Sequence, residues 1–275
     1  MTSPGPAAPD PAAPDPAASD PVAAAHAQTA HPIRLEWGPT GGAAVSAGAD
    51  IAVVVDVLSF TTTLTIATAR GTHVHPFAWK DARAAAYARA HDAVLAVGRL
   101  EARGLAAPPP SLSPAQLLDS APVPRLVLPS PNGSSVCAAL RATDPDLLVV
   151  GASVRNRRAV AAWLSPRIAA GATVALVPAG ERWPDGSLRP AVEDLWGAGA
   201  VLDALAPGHA LGAEALHARA AFRAIADDVA GALHDCASGR ELIGIGFAAD
   251  VAAAADVDAD DVVPLLGEDG FEAAR

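Results

Sequence analysis

The stretch Ile51-Ala-Val-Val-Val-Asp-Val57 decides how this chain is read. It is almost wholly apolar and rich in β-branched side chains. A strand with one wet face alternates apolar and polar residues. An unbroken run of this kind suits a strand covered on both faces, as in a parallel sheet. Downstream, Thr61 to Arg70 reads as a helix closed by Gly71. The alternation then repeats. Strands are predicted at Thr72 to Ala78, Val94 to Gly98, Arg125 to Pro129, Leu147 to Val150 and Thr173 to Val177. Helices are predicted at Asp81 to Ala90, after Gly133, from about Asn156 to Leu164, and from Pro190 to Leu205. Residues 106–124 are proline-rich and read as a loop. Beyond residue 210 the pattern is mostly helical, with a last short strand at Val262 to Leu266. The fold class is therefore α/β: a mainly parallel sheet with flanking helices and a helical C-terminal part.

Outward from this region, residues 1–30 are Pro/Ala/Asp/Ser-rich and expected to be a disordered tail, with order starting near Ile33. Residues 31–275 form the α/β region, with an allowance for two subdomains divided near 205–212. Of the 275 residues, 51% are hydrophobic, enough to bury a core. Lys plus Arg is 19 against 30 Asp plus Glu, a formal net charge of −11. That balance argues against a nucleic-acid or anionic-membrane partner, because phosphate backbones need clustered positive charge. A small anionic substrate needs only a local positive site and stays open. Lys80 is the only lysine, and the Ala, Pro and Arg bias reads as coding bias rather than chemistry. Cys137 and Cys236 have no metal-ligand spacing. No signal segment and no run of roughly 18 apolar residues is visible, so a cytoplasmic protein is expected.

In open α/β sheets ligands sit where strands pass into helices. The first such junction is Asp56-Val-Leu-Ser59-Phe-Thr61-Thr62-Thr63. Asp56 closes an apolar strand, where a carboxylate is costly unless it is paired or binds something. It either caps the following turn or serves as metal ligand or nucleophile. The second junction, Ser130-Pro-Asn132-Gly133-Ser134-Ser135, is a hydroxyl-rich turn opening a helix. It is either an ordinary cap or an anion cradle of backbone N–H groups. The third is Gly151-Ala-Ser153-Val-Arg155-Asn156-Arg157-Arg158, where Ser153 or Asn156 caps the helix and the three arginines are either solvated or supply one clamp for a carboxylate, sulfonate or phosphate. The fourth runs from Val177-Pro-Ala-Gly180-Glu181 to Glu193-Asp194, adjacent acids at a helix start. Their oxygens suit Mg²⁺, and acids at a helix start are also favoured by the dipole alone. His73 and His75 alternate on one strand and read as a core or edge pair. P-loop, nucleophile-elbow and dinucleotide-binding patterns are absent.

The ordered junctions resemble the 2-phosphosulfolactate phosphatase family, Mg²⁺-dependent acid phosphatases of coenzyme M biosynthesis, from about residue 33 to 266. Asp56-Val-Leu-Ser-Phe-Thr-Thr-Thr63 is similar to its D-V-L-R-A-[ST]-T-T block, Ser130-Pro-Asn132-Gly133-Ser134 to T-T-N-G-T, and Ala152-Ser153-Val-Arg-Asn156 to G-S-x-x-N. Pro178-Ala-Gly180 with Glu193-Asp194 and Ala198-Gly199 is similar to C-A-G…E-D-x-x-x-A-G. The span from Ser238 through Gly246 and Asp250 to Asp261-Val-Val-Pro264 is similar to its ending. The departures are Ser59-Phe60 for Arg-Ala, Arg99 where the family has Glu, Ser130-Pro131 for Thr-Thr, and Pro178 for Cys.

The resemblance implies a Mg²⁺-dependent phosphatase acting on a small phosphorylated 2-hydroxy acid. Asp56, Glu193 and Asp194 would be the catalytic and metal-holding residues. Thr61, Thr62, Asn132, Gly133, Ser134, Ser153 and Asn156 would bind substrate and phosphate. A homodimer is implied by the resemblance alone. The alternative is a non-catalytic binder of a small anionic metabolite on the same scaffold.

Overall fold

The computed structural model describes residues 21–78, 82–103 and 105–274; residues 1–20 of the expected tail and Asp81 of the expected helix Asp81 to Ala90 lie outside them. The expected strands are present as β2 (Ile51–Val55), β3 (His73–Phe77), β4 (Val94–Leu95), β5 (Arg125–Pro129), β6 (Leu148–Ala152) and β7 (Val174–Pro178), and a strand that was not expected, β1 (Ile33–Leu35), precedes them. They are joined by a small hairpin, β8 (Glu181–Arg182) with β9 (Leu188–Arg189), and by β10 (Pro264–Leu266) and β11 (Phe271–Ala273). The main sheet has the order β1-β7-β2-β6-β10-β11-β3-β5-β4.

β2 lies in the middle of one parallel block, paired with β6 on one side and β7 on the other, and all five of its residues are buried. Its alternation sends side chains into two cores. Ile51, Val53 and Val55 join Val201, Phe222, Leu233 and Leu242. Ala52 and Val54 join Phe60, Leu64, Leu126, Leu128 and Val136. Both faces are covered, which is why the run has no polar alternation.

The helix Phe60–Ala69 is buried from Phe60 through Thr68. A helix with five threonines, at 61, 62, 63, 65 and 68, is costly to bury unless the hydroxyls find acceptors. Four do: Thr61 donates to the Asp56 carbonyl at 2.8 Å, Thr62 to Val57 at 2.7 Å, Thr63 to Leu112 at 3.2 Å and Thr65 to Thr61 at 2.7 Å, while the buried Thr68 hydroxyl has no partner.

Several expectations are corrected. The last strand, Pro264–Leu266, runs antiparallel to β6 and pairs with β11, so an antiparallel hairpin joins the two parallel blocks. The expected strand Val94 to Gly98 is only Val94–Leu95. The proline-rich stretch 106–124 contains a short helix, Pro114–Asp119, capped by the Ser113 hydroxyl. Gly38–Ser46 is a helix that was not expected. Residues 21–30 depart from the tail reading: Pro21–His26 is helical, and buried Gln28 exchanges hydrogen bonds with the Leu35 backbone at 2.8 and 3.2 Å.

Residues on both sides of 205–212 contribute to one hydrophobic cluster. The helix Val192–Ala204 packs on the helix Ala213–Arg223 so closely that a Cβ on Gly199 would stand 2.1 Å from the Ala218 carbonyl oxygen. Leu233, Leu242 and Val251 then share one cluster with β2. No helix among the described residues is long and apolar enough to cross a membrane.

Candidate active site

Asp56 stands one residue past β2 and is buried. Its Oδ1 accepts the Phe60 N–H at 3.1 Å, and its Oδ2 accepts the Gly133 N–H at 2.8 Å. Phe60 and Gly133 are the first residues of the helices Phe60–Ala69 and Gly133–Thr143. One carboxylate therefore takes a backbone donor from the positive ends of two helices. The capping and functional readings of Asp56 are not exclusive, since capping fixes the side chain where strands and helices converge. Burial pushes the Asp56 carboxyl above its ordinary value; the Phe60 and Gly133 N–H groups and the Arg99 charge pull it back, and the Glu193 charge adds to the rise.

Glu193 and Asp194 open the helix Val192–Ala204 and are both buried. Asp194 accepts from Val57 N at 2.7 Å and from Gly180 N at 2.9 Å, so it straps the loop after β2 to the loop after β7. Burial, then the Asp56 and Glu193 charges, hold the Asp194 carboxyl well above the usual carboxylate range. The Cys236 thiol lies against Glu193. Burial first, and the Glu193 charge second, push that thiol up to about 11.

A fourth acid completes the cluster. Glu181, on β8, accepts from the Asn132 amide at 2.7 Å. Burial and the Asp56 charge push its carboxyl up to about 7, against the pull of Asn132 and Arg189. Glu181 also lines an open cleft of about 300 Å³, together with Leu58, Arg99, Ser238 and Leu242.

The remaining predicted residues divide. Gly133 contributes its N–H to Asp56, and a Cβ there would stand 2.3 Å from the Phe60 ring, so only glycine fits. Asn132 reaches the cluster through Glu181. Thr61, Thr62 and Ser134 direct their hydroxyls to backbone carbonyls, Ser134 to Leu128 at 3.2 Å. Ser153 and Asn156 hydrogen-bond with each other and with backbone carbonyls. The Ser153 N–H donates to Asn156 Oδ1 at 2.8 Å, and the Asn156 amide donates to the Gly151 and Val262 carbonyls at 3.3 and 3.0 Å. This is a capping box, fully buried, with its donors already engaged.

Among the described residues, no three or more His, Cys, Asp or Glu side chains are arranged as a ready metal-holding group. What the cluster does offer is hard oxygen donors and mutually repelling charge, the donor chemistry that suits Mg²⁺. Asp194, like Asp56, accepts one N–H on each oxygen, and it straps two loops together.

Sequence reasoning left Glu181, Arg189 and Asp250 without roles, and treated Arg99 only as a departure. Arg99 Nε donates to Asp250 Oδ2 at 2.6 Å, and its Nη2 donates to the Ser59 hydroxyl. Glu181 directly follows the strand-end Gly180, and that position was the available signal.

No curated protein matches the chain. A model of the family described as 2-phosphosulpholactate phosphatase matches residues 43–269, a span that holds Asp56, Arg99, Asn132, Glu181, Glu193, Asp194 and Asp250. The chain belongs to the 2-phosphosulpholactate phosphatase family.

Proposed function

We propose that the chain is a Mg²⁺-dependent phosphatase of a small phosphorylated 2-hydroxy acid, converting 2-phosphosulfolactate or a close analogue to the hydroxy acid plus phosphate. The observation that carries this reading is the Asp56 carboxylate, held by the first N–H of two helices inside a cluster of acids and beside Arg99. The two N–H groups fix the orientation of the Asp56 carboxylate itself, so it does not need to reorient to act. Asp56 and Glu193, with Asp194 behind them, are the carboxylates that would hold Mg²⁺. When bound, the cation neutralises charge on the phosphoryl oxygens. Glu181, whose carboxyl titrates near neutrality, is suited to hand a proton to the leaving alkoxide oxygen.

The test is phosphate release from a panel of small phosphoesters, including 2-phosphosulfolactate and phospholactate, with Mg²⁺ and with EDTA. Metal-dependent release supports the phosphatase. Thermal stabilisation by the same compounds without any release would instead support the non-catalytic binder.

A further inference from the structure

We propose that Arg99 and Arg189 are the specificity-determining pair of this cleft, Arg99 contacting the phosphoryl group and Arg189 contacting an acidic group on the leaving alcohol. This assignment rests on the phosphatase reading and deepens it by saying which side chains select the substrate class.

Arg99 lines the cleft and its charge reaches Asp56. Its guanidinium is locked from behind. Nε binds Asp250, which is itself fixed by the Ser113 hydroxyl and by Ala115 N at 3.3 Å, and Nη2 binds the Ser59 hydroxyl. A guanidinium carries five N–H donors, and these two contacts leave the rest for a ligand. A planar fork held in one orientation is the arrangement that binds a phosphoryl group through paired hydrogen bonds.

Arg189 sits opposite Glu181 across the β8–β9 hairpin. Its Nη2 donates to the Ser238 hydroxyl at 3.0 Å, and Ser238 lines the same cleft. Its charge acts on Glu181. Its guanidinium also stands 5.8 Å from the centre of the Trp183 ring, and among the described residues it makes no ion pair. A cation hydrogen-bonded to Ser238 on the cleft wall, and paired in strand register across the hairpin with Glu181, the acid placed to protonate the leaving oxygen, is positioned for an anion carried by that leaving group.

The experiment measures kcat/KM for phospholactate, whose leaving alcohol carries a carboxylate, and for ethyl phosphate, whose leaving alcohol carries none. Arg189→Gln is expected to lower the ratio of the two values at least about tenfold, mainly through the KM for phospholactate, with Arg189→Lys restoring part of it. Arg99→Gln is expected to lower both values by similar factors and to leave the ratio near that of the unaltered protein. A ratio unmoved by Arg189→Gln overturns the assignment of Arg189, while leaving the phosphatase reading intact. An Arg99→Gln effect confined to phospholactate overturns the assignment of Arg99. If the unaltered protein releases phosphate from neither ester, the phosphatase reading fails, and binding decides the rest. Thermal stabilisation by sulfolactate that is lost in Arg189→Gln still supports the anion contact, and equal stabilisation overturns it.

Discussion

Gly133 gives its backbone N–H to Asp56 Oδ2 at 2.8 Å, across 77 residues of sequence. The contact ties the turn after β5 to the end of β2, and it is possible only because position 133 has no side chain. A Cβ there would press into the buried Phe60 ring and stand 2.8 Å from the same carboxylate oxygen. Gly133→Ala is expected to cost about 1–3 kcal/mol of stability, the usual cost of overpacking a core. It should also remove phosphatase activity in protein that is still folded. Urea unfolding and phosphate release check the two effects separately. A variant with full activity would show that the Asp56–Gly133 contact is not needed for the chemistry.

Asp194 accepts two backbone N–H groups, so its loss exposes two buried donors rather than one ligand. Asp194→Ala is expected to cost about 2–6 kcal/mol, since each of the two unsatisfied buried groups costs about 1–3. Asp194→Asn is expected to be nearly as harmful, because the amide turns a donor toward one of the two N–H groups. Unfolding free energies of both variants test this. A stable Asp194→Asn would mean that the strap is dispensable.

Glu181 makes stability depend on pH in a definite direction. Its folded carboxyl titrates at about 7 against an ordinary value of 4.5, so the folded state holds the proton more tightly than the unfolded chain. The stabilisation is full below pH 4.5 and is lost as the pH rises through 7. Its size is about 3 kcal/mol. In EDTA, Glu181→Gln should therefore gain stability relative to the unaltered protein at pH 8 and show little difference near pH 4. Parallel stability curves for the two proteins would contradict the shifted titration.

The same raised carboxyls predict proton release on metal binding. Asp56, Glu181 and Asp194 are all held above their ordinary values, and a cation favours their ionised forms. Calorimetric titration of Mg²⁺ at pH 7, in buffers of different ionisation enthalpy, should show protons leaving the protein. A buffer-independent heat would contradict this.

Much of this arrangement was legible in the sequence, and the limits have physical causes. The β-branched run at 51–57 identified a doubly covered strand, and strand-end reasoning picked out Asp56, Glu193 and Asp194, which do converge. Ser153 and Asn156 could not be sorted from residues alone. A capping box and an anion cradle use the same small polar side chains at a helix start, and the Asn156 contacts to Gly151 and Val262 are not visible in a sequence. Glu181 and Arg99 depend on partners far away in the chain, Asn132 and Asp250. Strands β10 and β11 have three residues each, too short for a period to register.

Asp56→Asn is the most direct test of the central claim. The amide keeps the size of the side chain but turns a donor toward one of the two helix N–H groups and removes the charge. Turnover of 2-phosphosulfolactate with Mg²⁺ should fall by on the order of 10³-fold, in protein whose melting temperature shows it to be folded. Normal turnover in the folded variant would contradict the assignment of Asp56 as the centre of the site.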